Sequence, residues 1–314
     1  MIAAGGHPAL WARGLLLFAL AACQSVGSVP TFPFSAGGPS RQITFTPYDD
    51  FAPAWTPDGR SLIYISNQQG GWNLWTIDLA AATPRSLSVG QFQYSNPVVT
   101  TDGRWIAVAS DRGSATRAWT DLWLISPDST QEQRLISESP MIKEFVPAIS
   151  PDGRWLAYLD LPMNRTPQYR LMLVELPGGL PRVLTEDHVV FSPIRFSPDH
   201  RSILYTADTL GSADVWTIGI AGAGARALTA RPGNDIAGDY SPDGANIVFV
   251  SNQSGADELW MMTAQGLGAR QVTYDAATAS MPAFSPDGAH IAYTSTKAGN
   301  QDIWMIASGI DRRQ

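Results

Sequence analysis

A four-residue turn repeated six times fixes what this chain can fold into. It reads Thr56-Pro57-Asp58-Gly59, Thr100-Thr101-Asp102-Gly103, Ser150-Pro151-Asp152-Gly153, Ser197-Pro198-Asp199-His200, Ser241-Pro242-Asp243-Gly244 and Ser285-Pro286-Asp287-Gly288. Successive aspartates stand 44 to 50 residues apart, a period that belongs to repeat architectures whose units bury their faces against one another. Proline presets the first corner, aspartate bonds local backbone and glycine tolerates positive φ, so each copy makes a hairpin turn.

Each repeat parses into four short strands. The third opens with an acid or amide, then an aliphatic residue, then Trp, as in Asn73-Leu74-Trp75, Asp121-Leu122-Trp123, Asp214-Val215-Trp216, Glu258-Leu259-Trp260 and Asp302-Ile303-Trp304. The fourth is an Arg-x-aliphatic-Thr/Ser phrase beginning at Arg41, Arg85, Arg134, Arg182, Arg226 and Arg270. Five of these phrases keep one offset to the next turn, and the one at Arg134 stands a residue further away. No such phrase follows Trp304, while a spare copy, Arg41-Gln42-Ile43-Thr44, stands at the other end. A ring accounts for both facts. The sequence therefore predicts an all-β, six-bladed β-propeller over residues 41–314, with the N-terminal strand completing the last sheet.

The residues ahead of the ring read as targeting and linker segments. Arg13 precedes an apolar stretch, and Leu20-Ala21-Ala22-Cys23 resembles the lipobox of bacterial lipoproteins. This places a signal peptide at 1–22, lipidation at Cys23 and a flexible tether over 23–40; an ordinary secretory signal with an incidental cysteine is the alternative. Cys23 is the only cysteine of the chain, so no internal disulfide forms. By resemblance to Gram-negative lipoproteins, Gln24 in place of Asp implies an outer-membrane anchor facing the periplasm. With 44% hydrophobic residues the chain can bury a large core, and a net charge of −7 argues against nucleic acid.

The phrases Pro53-Ala54-Trp55-Thr56-Pro57-Asp58-Gly59-Arg60, Asp302-Ile303-Trp304 and Arg270-Gln271-Val272-Thr273 resemble TolB-type propeller repeats. The resemblance covers residues 41–314. It implies a non-enzymatic, monomeric, protein-binding scaffold of the cell envelope, with an envelope or peptidoglycan-associated protein as partner and the membrane reached through the lipid anchor. One departure stands out: TolB carries an α/β domain ahead of its propeller, and here a signal and tether precede Arg41. A partnership with TolA is therefore not expected.

Candidate contact residues follow from counting along the repeat. Eight residues before each turn aspartate stand Asp50, Tyr94, Glu144, Phe191, Asp235 and Ala279. These lead from one blade to the next at one mouth of the central channel, where a propeller carries its variable loops. The first five are the expected partner-binding rim. Its carboxylates, with Asp49, Asp187 and Asp275 nearby, would also suit Ca²⁺, although no cofactor is expected. Four residues before the turn, Ala54, Val98, Ala148 and Ala283 are small and apolar, whereas Arg195 and Asp239 are charged. An unpaired charge at that depth is costly, so these two are expected to meet near the channel. Blade three departs from the pattern: Arg170 replaces the acid, Met172 replaces Trp, and a long connection runs through 160–167. The sequence contains no nucleophile elbow or zinc-protease motif, and His188, His200 and His290 do not share one end of a blade. The alternative to a scaffold is a hydrolase or lyase with a divalent metal at the channel mouth.

Overall fold

The computed structural model describes residues 39–88, 92–112, 120–128, 131–136, 142–163, 168–209 and 211–310. The expected signal peptide, Cys23, most of the expected tether and 164–167 of the blade-three connection lie outside them.

Among the described residues there is no helix, and the strands form six four-stranded antiparallel sheets. Blade one runs outward from Asp50–Trp55 through Ser61–Ser66 and Asn73–Asp78 to Thr83–Ser86. Blades two to five repeat this order, with inner strands Tyr94–Val99, Ile142–Ile149, Arg195–Phe196 and Asp235–Tyr240. Blade six takes three strands from the C-terminal end, Ala279–Phe284, His290–Ser295 and Asp302–Ala307, and its fourth from Arg41–Gln42. Arg41 pairs with Met305 and Gln42 with Trp304, and the Ile43 N–H continues the ladder to the Ile303 carbonyl at 2.8 Å. The six-bladed ring closed by its N-terminal strand is therefore observed. The displaced Arg134 phrase is a register shift: Trp123 faces Arg134 itself, whereas Trp75, Trp216, Trp260 and Trp304 each face the residue after the arginine.

The turn sequence recurs because its side chains bond one another. In all six copies the Ser or Thr hydroxyl donates to the turn aspartate at 2.5 to 2.6 Å. The same carboxylate oxygen accepts the N–H two residues on, from Arg60, Arg104, Arg154, Arg201, Ala245 and Ala289. The last turn residue has φ between 67° and 71° at five glycines, and 64° at His200. A side chain in that region is strained. His200 offsets the strain by reaching the neighbouring turn, where its Nδ1 accepts the Asp152 N–H at 3.2 Å.

Core clusters lie between adjacent blades. Trp55, Leu62, Tyr64 and Trp75 of blade one pack on Ala283, Ala292, Ile303 and Met305 of blade six. At this seam Thr44 Oγ1 donates to Asp302 at 3.1 Å and accepts the Ile303 N–H at 2.9 Å, and Gln42 Nε2 donates to the other Asp302 oxygen at 3.1 Å. Asp302 is 1% exposed. Burial pushes its carboxyl up to about 6; the Thr44 hydroxyl opposes this and the charge of Asp50 adds to it. Blade one places Asn73 at the corresponding position, bonded by Ser88 at 3.3 Å.

A carboxyl raised by folding is held protonated where the unfolded chain has already ionised, so stability falls as pH rises through that window. Wild-type stability is expected to drop between about pH 4 and pH 6, by on the order of 2 kcal/mol. Asp302→Asn, which copies blade one, should remove most of that drop. Denaturant melts across pH check this; parallel pH profiles for the two proteins would refute it.

Candidate functional site

The loops that pass from one blade to the next and the second-to-third-strand connections share one face of the ring. Four of the five expected rim residues lie beneath that face. Asp50 is 0%, Tyr94 2%, Glu144 1% and Asp235 2% exposed. For Asp50, Tyr94 and Glu144, as for Ala279 at the same place in blade six, the reason is a backbone bond between blades. The N–H of Asp50 donates to Gln301, that of Tyr94 to Trp72 and that of Glu144 to Thr120, at 2.8 to 2.9 Å, and the N–H of Ala279 donates to Asp257 at 2.7 Å. Each of these carbonyls lies just ahead of the preceding blade's third strand, so the residue is drawn into the seam and its side chain follows. Asp50 then accepts from Thr46 at 3.2 Å, Glu144 accepts the Leu122 N–H at 3.3 Å, and the Tyr94 hydroxyl accepts from Arg112 at 3.0 Å. Counting residues gave the right level along the repeat and the wrong depth. These four side chains form the seams between blades and are not a surface rim.

The nearby carboxylates serve as ties as well. Asp49 accepts the Gln301 N–H at 3.0 Å, and Asp275 lies 2.7 Å from Lys297, whose ammonium stands 3.8 Å from the Trp304 ring centroid. Among the described residues no three His, Cys, Asp or Glu side chains gather as a metal-holding group.

Phe191, the fifth rim residue, is 41% exposed. Its ring stands edge-on to Phe145 with centroids 5.6 Å apart, and 5.6 Å from Tyr169, which is itself 6.1 Å from Phe145. Such edge and tilted contacts are the favoured aromatic geometry. Three segments bring the rings together: the inner strand of blade three, the start of its third strand, and the loop into blade four. The inner strand Ile142–Ile149 and the second strand Trp155–Pro162 each run two residues past their blade-one counterparts on this face. Exposed Met163 follows directly. Phe145 and Tyr169 were missed in the sequence reading. The signal in the sequence was only partial, since an aromatic residue precedes the third strand at Tyr169 as it does at Trp72, where two other blades place Thr120 and Asp257.

Blade three's other departures explain one another. Asp160 and Arg170 face each other across its second and third strands, where other blades pair Ser66 with Asn73, Ser251 with Glu258 and Ser295 with Asp302. The Arg170 Nε lies 2.7 Å from Asp160 Oδ1, its Nη2 contacts the second oxygen, and Asp160 is 0% exposed. The acid has moved one strand inward and an arginine has taken its place.

Arg195 and Asp239 meet at the channel, with Nε 3.7 Å from Oδ1 and both side chains about one-fifth exposed, at 22% and 19%. Asp239 also accepts the Phe284 N–H at 2.9 Å. Burial pushes its carboxyl up, against the pull of the Arg195 guanidinium and of two backbone N–H groups. Four inner strands carry a β-bulge whose residue has positive φ and precedes proline: Ala52 at 56°, Asn96 at 52°, Val146 at 50° and Met281 at 50°. A bulge there bends each strand and re-aims the side chains that follow it into the channel.

The profile of the family described as TolB beta propeller domain matches residues 120–312, more than half of the chain. An uncharacterized protein of Agrobacterium fabrum is 29% identical over 150 residues, 46% of this chain and 49% of that protein, so the chain spans about half the length of this curated relative. Among solved structures, a protein assigned as TolB from Agrobacterium tumefaciens superposes with a TM-score of 0.68 at 19% identity, covering 85% of this chain and 93% of that one. TolB from Acinetobacter baumannii gives 0.66 at 17% identity, over 83% of this chain and 61% of that one. An oligogalacturonate lyase in complex with manganese gives 0.60 at 16% identity, over 83% and 89%. At these identities the structures share the fold.

Breaking the blade-three pair should be costly, because it leaves a buried carboxylate without its guanidinium. Arg170→Ala is expected to destabilise the propeller by about 3–5 kcal/mol. The double variant Asp160→Ser with Arg170→Asp, which restores the pairing of blade six, should recover most of the loss. Chemical denaturation of the two variants checks this, and a double variant no more stable than Arg170→Ala would refute it.

Proposed function

This chain belongs to the TolB β-propeller family, and we propose that it acts as a non-enzymatic, protein-binding scaffold of the bacterial cell envelope. The supporting observation is the aromatic cluster of Phe145, Tyr169 and Phe191, exposed at Phe191 on a blade that extends past its neighbours. Aromatic residues and methionine are enriched at protein interfaces, and the rigid aromatic rings bury much area for little lost side-chain freedom. The buried carboxylates beneath the face keep the blades in register and hold the cluster in place. The contact surface is therefore apolar and lies over blades three and four, with Met163 beside it. The partner is an envelope or peptidoglycan-associated protein presenting an apolar side chain to this face.

Cys23 supplies the attachment. The small residues Ala21 and Ala22 directly ahead of a lone cysteine support lipidation, which would leave the propeller tethered to the outer membrane and facing the periplasm. One acyl chain alone holds a protein only marginally, so a lipoprotein depends on several chains on its first residue.

A photocrosslinking residue placed at Phe191 should yield a discrete adduct in cells, and one at Leu180, 90% exposed on the opposite face, should not. The same adducts from both positions, or none from Phe191, would overturn the docking face. Separately, Cys23→Ser should move the protein from the membrane to the soluble fraction. Retention of the variant in the membrane pellet would mean another anchor.

A further inference from the structure

The end of the channel opposite the aromatic cluster holds a cavity of about 290 Å³ beside the first turns of the blades. Ala54, Val98 and Ala283 form its walls with Trp55 and Phe284, and among the described residues Arg195 and Asp239 are the only charged ones that line it. The walls are preformed: the Trp55 indole N–H is committed to the Ala283 carbonyl at 3.0 Å. The volume sits at the small end of the range for ligand sites.

The two Arg–Asp pairs of this protein differ in a way that bears on this cavity. Arg170 closes on Asp160 with both arms of its fork. Arg195 does not close on Asp239: its Nε is 3.7 Å away, beyond hydrogen-bond range, and its Nη1 donates to the carbonyl of Ile194 at 2.9 Å. Nη2 has no partner among the described residues. Asp239 spends one oxygen on the Phe284 N–H. A guanidinium with an unused arm thus faces an apolar cavity, and such a group is suited to oxyanions, carboxylate and phosphate alike.

We propose that this cavity binds a carboxylate carried on a small apolar body, the carboxylate bonding the open side of the Arg195 guanidinium and the body lying against Ala54, Val98 and Ala283. The site is separate from the aromatic docking face and does not depend on it. A cation is disfavoured by the guanidinium. A phosphate or sulfate would bring an ion with no apolar part to walls whose Thr101 hydroxyl and Trp55 indole N–H are already committed to the Pro151 and Ala283 carbonyls. Burial already disposes Asp239 to take up a proton, which lessens repulsion when a second carboxylate arrives. The carboxylate has two conceivable sources, a free organic acid or the C-terminus of a peptide.

Titration calorimetry on the folded propeller distinguishes these possibilities. Hexanoate should bind one-to-one with a Kd of about a millimolar, as so few atoms allow, and hexanol about tenfold more weakly, the worth of one charge-assisted hydrogen bond. Arg195→Gln should bring hexanoate down to the hexanol level. Val98→Phe, which fills the cavity and leaves both charges in place, should abolish binding of either probe, with an unchanged thermal melt as the control for folding. Acetyl-glycyl-leucine and its C-terminal amide form the second arm. An acid form that binds more tightly than hexanoate makes the occupant a peptide C-terminus, and weaker binding makes it a free acid. Hexanoate binding no better than hexanol, or binding that survives Val98→Phe, would overturn the site.

Discussion

One hydroxyl in each of four blades does much to hold this propeller together. Two residues past the outer strand, Thr44, Ser88, Thr229 or Thr273 accepts a backbone N–H of the third strand at 2.9 Å and donates to the acid or amide that opens that strand. The outermost strand is the weakest part of any blade, since it has a neighbour on one side only and few ladder bonds. Four of the outer strands comprise two or four residues in blades one, three, four and five. A side chain that satisfies a buried N–H and a buried carboxylate together lets so short a strand hold its register. The same bond joins residues at the two ends of the chain at the closure, so the ring is closed with the chemistry of its ordinary blades.

Much of this was legible in the sequence because it repeats. The turn, the Trp strand and the Arg phrase each answer a local need that every blade shares, and periodicity separates such needs from chance. The depth of the residues at the blade-to-blade crossings was not legible. Asp50 and Glu144 are charged and sit at loop ends, features that on average mean exposure. Their burial follows from a backbone bond to the preceding blade, and no side-chain pattern records that bond. Phe191 occupies the same place in the repeat and is exposed because blade four has only a two-residue inner strand, Arg195–Phe196, beginning four residues later. Compensation was hidden in a similar way. Asp160 and Arg170 each look like drift when read alone and become a pair only when strand register sets them opposite one another.

The two ends of the channel differ in chemistry. One face gathers aromatic rings where blade three outgrows its neighbours, and the other holds an open, mostly apolar cavity with one incompletely bonded arginine. Both features arise where blades three to five depart from the shared pattern, so variation is concentrated on one side of the ring. Blades six and one, which carry the closure, keep to the pattern closely. Their acid, hydroxyl and Trp positions are all filled with the expected residue types.

The strand that closes the ring is also the one reached first by anything that pulls on the residues preceding it. Tension arriving along the chain meets Ser40, contacted by the Lys297 ammonium, and then the two ladder pairs Arg41–Met305 and Gln42–Trp304. Load is thus delivered to the fold at its seam. A propeller held by its N-terminus would open there before any blade unravelled, because the first ladder pairs under load are the ones that close the ring.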